Sequence, residues 1–155
     1  MTSPFPEPQL DELYRELILD HYRHPRHKGR LEVTTAKAEG FNPLCGDEIA
    51  LDLEVEDGVI RSVAFRGRGC SISQASGSMM TDAVIGLTKD EALAMLAAFK
   101  QMMTEPDKEV AMDLGDLEAF QGVAKFPVRV KCATLAWHVL EEGLEGRETD
   151  MLLTN

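Results

Sequence analysis

Between Ile49 and Val84 the apolar residues change their spacing once, and that change dictates strand, turn, strand, then helix. Ile49, Leu51, Leu53 and Val55 alternate with polar residues, which predicts a half-buried strand. Asp57-Gly58 is a tight hairpin signal, and Val59–Arg66 returns as the paired strand. Within Val63–Asp82 the strand breaks at Gly67 and Gly69 and then offers Cys70. From Ile72 the spacing turns helical through Ala75, Met79, Met80, Ala83 and Val84. Cys70 is therefore expected beside a first helical turn, where free backbone N–H groups and the positive dipole end favour a thiolate. Cys45 stands at the entry of the same hairpin, and the ends of an antiparallel pair lie side by side.

The flanking chain supplies helices. Leu10, Leu13, Tyr14, Leu17, Ile18 and Tyr22 recur on one helical face until Pro25. Residues 1–9, rich in proline, read as a loose arm, 10–146 as a single domain and 147–155 as a tail. The segment HYRHPRHKGR reads as a solvated basic loop, and Glu32–Glu39 as an edge strand. Thr88 and Glu91 form a capping-box pair ahead of the apolar run Ala92–Met103. Leu114, Leu117 and Phe120 suggest a short helix. Pro127 opens the last helix, on which Cys132, Leu135, Ala136, Val139 and Gly143 share one face. Methionines 79, 80, 95, 102 and 103 read as core.

Charge excludes one class of partner. With 16 Lys and Arg against 27 Asp and Glu, the net charge is −11, and no basic stripe exists to displace counterions from nucleic acid. No apolar run approaches the ~20 residues of a membrane span, and the acidic, proline-rich start is unlike a signal peptide. Three cysteines are too few and too sparse for a disulfide framework, so a reducing cytoplasm with free or metal-bound thiols is expected.

The cysteines then carry the chemistry. Cys45 lies among Pro43, Gly46 and Asp47, where a packing thiol has little to pack against, and Cys70 has glycine and serine neighbours. Cys132, on an apolar stripe, reads equally well as a packing residue or a ligand. Soft thiolates in a fourfold tetrahedral set suit zinc or iron–sulfur sites. Asp47 is the obvious fourth ligand, because Gly46 between it and Cys45 can take the dihedral that turns both inward. A site with one hard carboxylate can be opened, which suits a carrier. Arg129 and Lys131 either stabilise a thiolate or persulfide at Cys132 or are solvated surface charge. His21, His24 and His27 cannot share one helical face across Pro25, and His138 lies off the face of Cys132. A purely structural zinc domain and a Cys–His hydrolase are the competing readings.

ILDHYRHPRHKG, NPLCGD, FRGRGCSISQASGSMMTD and VRVKCATLAW together resemble the IscU/NifU-like iron–sulfur assembly proteins, and most closely their SufU branch. The long Cys70–Cys132 spacing, Lys131 before the third cysteine, and FPVRV in place of a proline-rich chaperone motif point to that branch. The resemblance implies an α+β fold, a small antiparallel sheet of about three strands packed by helices. It implies a zinc site of Cys45, Asp47, Cys70 and Cys132. It also implies sulfur accepted, by Cys45, from a SufS-type cysteine desulfurase and passed to downstream SUF assembly proteins. The family's older role, a scaffold for a nascent [2Fe–2S] cluster on the same ligands, is the alternative.

Overall fold

The computed structural model describes residues 6–105, 107–109 and 112–145, with side chains from Tyr14 onward. Residues 1–5 of the expected arm and the expected tail 147–155 lie outside the described residues. Helix α1 is Pro6–Arg23, so it takes in the end of the stretch read as an arm.

The sheet is the antiparallel meander β1 (Ala36–Asn42), β2 (Asp47–Glu56) and β3 (Val59–Arg68), in that spatial order. The β2–β3 turn falls on Asp57 and Gly58, both at positive φ, as a two-residue hairpin of this twist requires. Strand β1 lies further along the chain than the expected Glu32–Glu39 and takes in Gly40, Phe41 and Asn42. Pairing decides this: β2 already begins at Asp47, whose partner is Asn42, so β1 runs up to the turn. Strand β3 likewise continues through Gly67. A Cβ there would run into the Glu48 carbonyl oxygen, so glycine lets the strands approach rather than breaking the ladder.

Helix α2 (Ser71–Val84) packs on β3, and α4 (Pro127–Leu144) crosses β1 and β2. Gly143 permits that crossing, since a Cβ would stand 2.7 Å from Leu53 Cδ1. The alternating residues Ile49, Leu51, Leu53, Val63 and Phe65 meet Ala75, Met79, Met80, Leu135 and Val139 in one core. Each large side chain so buried stabilises the fold by about 1.5–3 kcal/mol over its exposed state. Helix α3 (Lys89–Thr104) begins with the expected capping box and sends Phe99 to stack on Trp137 at 4.8 Å. Four of the five methionines read as core are buried; Met95 is half-buried. The short helix around Leu114 is a 3₁₀ segment, Gly115–Lys125. Leu114 at its N-cap and Leu117 and Phe120 within it are buried three positions apart, matching a three-residue turn, with Ala119 buried beside them.

In the basic segment Arg23, His24, His27, Lys28 and Arg30 are exposed, as expected of a solvated loop, but the segment is also anchored. His21 is buried with Nδ1 2.7 Å from Ser78 Oγ, and the Arg26 amide donates to the same oxygen at 2.8 Å. Main-chain bonds from Phe65 to His27 and from Gly29 to Phe65 then fasten the segment to β3. Propensity showed only charge; the anchoring is supplied by α2 and β3, far away in sequence.

Candidate metal centre

The sheet delivers Asp47 at the first residue of β2 and, across the ladder, ends β3 one residue before Gly69. Gly69 (φ +146°) passes against Asp47, and a Cβ there would meet the carboxylate. Cys70 follows as the N-cap of α2, and its backbone N–H donates to Asp47 Oδ1 at 2.9 Å. Cys70 Sγ lies 3.9 Å from Asp47 Oδ2. The β1–β2 turn carries Cys45, with Gly46 at φ +71° as its neighbour. From the other side α4 brings in Cys132, whose thiol donates to Cys45 Sγ at 3.3 Å across 87 positions of sequence.

One ligand atom from each of Cys45, Asp47 and Cys132 lies within 4.8 Å of the others. The structure thus brings together three of the four expected residues, while Cys70 borders the trio through Asp47. Among the described residues this cluster contains no histidine. Asp47 and Cys132 are fully buried; Cys45 and Cys70 are half-buried. Burial first, then the hydrogen bonds to Cys45 and Asp47, pushes the Cys132 thiol far above its ordinary range.

The donor set fits a soft, tetrahedral ion. Two sulfurs on one zinc at ~2.3 Å stand about 3.8 Å apart, so the observed pair needs to open by only roughly half an ångström. Among the described residues no Lys or Arg pairs with the buried Asp47 side chain, which is instead gathered with thiols, a donor set that suits a metal ion.

Asn42 belongs to the site and the sequence reading missed it. It is fully buried; its carbonyl accepts the Gly46 amide at 2.8 Å and its Oδ1 accepts the Leu44 amide at 3.2 Å. Its Nδ2 stands 4.0 Å from Cys132 Sγ. A signal existed: Asn42 continues the inward phase of Ala36, Ala38 and Gly40, where a polar side chain needs a partner. Arg129, by contrast, is exposed one turn before Cys132, and Lys131 is half-buried. His138 lies on α4 beside Lys100 and Glu141, where burial first and then Lys100 lower its pKa to about 4. No helix among the described residues is long and apolar enough to cross a membrane.

The family model of the NifU-like N terminal domain matches residues 13–142. The zinc-dependent sulfurtransferase SufU of Bacillus subtilis (strain 168) is 47% identical, over 90% of this chain and 94% of that protein. The iron-sulfur cluster assembly scaffold protein IscU of Streptococcus pyogenes serotype M1 is 43% identical, over 95% of this chain and 92% of that one. Among solved structures, the N-terminal part of a nitrogen-fixing NifU-like protein from Brucella abortus superposes with a TM-score of 0.79 at 26% identity. It covers 88% of this chain and 95% of its own.

Proposed function

The chain belongs to the family of the NifU-like N-terminal domain, and from that premise we propose that it is a zinc-dependent sulfur-transfer protein of iron–sulfur cluster assembly. Its sulfur donor is a SufS-type cysteine desulfurase and its acceptors are downstream SUF assembly proteins. One observation carries the reading: Cys45 and Cys132 meet at 3.3 Å beside the buried carboxylate of Asp47. The 47% identity to a zinc-dependent sulfurtransferase supports it.

Cys45, Asp47, Cys70 and Cys132 would hold the ion; Cys70 joins the set because its sulfur already lies 3.9 Å from Asp47 Oδ2. Zinc, when bound, keeps thiols as thiolates at neutral pH. Cys45 is the acceptor. It is half-buried in a turn, with Gly46 able to let it swing, whereas Cys132 is fully buried on α4 and Cys70 is fixed at the α2 N-cap. Its thiolate attacks the outer sulfur of the donor's persulfide, the donor S–S bond breaks, and the donor cysteine leaves as thiolate. Cys45 becomes the persulfide with no net oxidation, the same exchange step as between thiol and disulfide. Arg129, one turn before Cys132, is a nearby cation for the anionic sulfurs.

The test mixes the zinc-loaded protein with desulfurase and L-cysteine and maps persulfide by non-reducing mass spectrometry. Persulfide on Cys45, lost in Cys45→Ser, is expected. Persulfide mainly on Cys132, with Cys45→Ser still loaded, would overturn the assignment. The second reading, a scaffold for a [2Fe–2S] cargo, is favoured by the 43% identity to an IscU scaffold. A stable cluster after anaerobic reconstitution would support it over transfer.

A further inference from the structure

A groove of about 460 Å³ runs beside the metal centre, between α1, the first turn of α2, the 3₁₀ segment and the start of α4. Its floor is apolar: Ile18, Leu19, Ile72 and Val123, with Phe126 at the edge. Phe126 is 60% exposed, a large apolar side chain left mostly in water. The polar lining is of one sign. Among the described residues, Arg15, Lys125 and Arg129 line the groove and no Asp or Glu does. None of the three cations forms an ion pair with a carboxylate among the described residues. Unpaired cations gathered around an apolar floor in an acidic protein are a complement for carboxylates.

The groove adjoins two of the expected ligands along the chain. Ser71, in its wall, follows Cys70 directly, and Arg129 lies three residues before Cys132 on α4. A partner seated in the groove is therefore held next to the segments that carry Cys70 and Cys132.

We propose that this groove is the docking site for a carboxylate-flanked apolar segment on the surface of the sulfur-donating desulfurase, a proposal that rests on the sulfur-transfer reading above. Apolar contact along the floor supplies affinity, and the cations steer and orient the donor so that its persulfide reaches Cys45.

The experiment is calorimetric titration of the zinc-loaded protein with a SufS-type desulfurase, at low and high salt. In the double variant Arg15→Glu/Lys125→Glu the Kd is expected to weaken by about tenfold or more, with a shallower salt dependence. Phe126→Ser is expected to weaken binding as well. Lys89→Glu, the same reversal as at position 125 but on the first turn of α3 and outside the groove, is expected to leave it unchanged. Zinc content and melting temperature verify that each variant is folded. Should the double variant unfold, Phe126→Ser decides alone, because its side chain contributes little to the core. Wild-type affinity in the groove variants would overturn the groove while leaving sulfur transfer standing. No binding by the wild-type protein itself would overturn the sulfur-transfer reading together with it. A dimer of this chain in sedimentation, dissolved by the same variants, would assign the groove to a second copy and likewise overturn the proposal.

Discussion

Asp47 and Cys70 are joined by a hydrogen bond from the Cys70 amide to Asp47 Oδ1 at 2.9 Å, and this bond closes the open end of the β2–β3 hairpin onto the start of α2. The carboxylate thus does two things with two oxygens. One satisfies a backbone donor at a helix N-cap; the other faces Cys70 Sγ at 3.9 Å. An anion at a helix start is favoured by the free N–H groups and the dipole there. Ligand geometry at this site therefore depends on strand register, because a shift of β2 against β3 would carry Asp47 away from Gly69 and Cys70.

Gly69→Ala tests that dependence. Its φ of +146° is strained for any side chain, and the added Cβ would meet the Asp47 carboxylate. A loss of about 1–3 kcal/mol in urea unfolding is expected, with lower zinc retention against a chelator. Wild-type stability and zinc retention together would show that the close approach does not matter.

Asn42→Ala removes the acceptor of the Leu44 amide and the amide facing Cys132, while leaving the main-chain bond to Gly46. Expected are a destabilisation of about 1–3 kcal/mol from the buried groups left unpaired and faster zinc transfer to a chelator. In the cobalt-substituted protein the thiolate-to-metal charge-transfer band should shift, a readout that loosened packing elsewhere would not move.

Zinc held by these residues would tie the β1–β2 turn, the β2–β3 hairpin and α4 together, so its binding free energy would add to folding. Stripping it should lower the melting temperature, by an amount that grows with the free zinc used for comparison. Asp47→Ala should keep zinc on the three sulfurs while altering the rate of sulfur loading. Identical melting curves before and after verified metal removal would detach the centre from the support of the fold.

His138 gives a pH signature. Burial lowers its folded pKa to about 4, against 6.5 for the free side chain. Below about 6.5 the unfolded chain takes up a proton that the folded chain refuses, so stability falls as pH drops toward 4 and levels off below it. His138→Gln should flatten this fall in urea midpoints measured between pH 7 and 4. Buried His21 acts in the same direction, since its pKa is also lowered by burial, which is why the comparison is between variant and wild type. Asp52 acts at lower pH. Burial raises its pKa, but the Arg66 hydrogen bond and the Leu31 amide outweigh this and hold it low.

Local rules determined much of this protein from the chain alone. The hairpin of β2 and β3, its Asp57-Gly58 turn, the Thr88–Glu91 capping box and Pro127 at the start of α4 each depend on residues within a few positions of one another. Gly46 between Cys45 and Asp47 was equally legible, because the dihedral that turns both side chains inward is a property of three consecutive residues. Only the tertiary structure decided what meets across long sequence separations. Cys132 shows an apolar stripe in sequence; its contact with Cys45 follows from α4 crossing β1 and β2 at the close approach that Gly143 allows. Cys70, at the N-cap of α2, has its sulfur 3.9 Å from Asp47 Oδ2, a contact across 23 positions. Asn42 continues the inward phase of β1, but the Cys132 sulfur it faces is 90 positions away. His21 looked like one charge in a basic run, and only Ser78, brought up by the packing of α2 on α1, made it a buried partner. Periodicity reports which face of an element is buried; it carries no information on which distant side chain that face will meet, and a metal centre is made of such meetings.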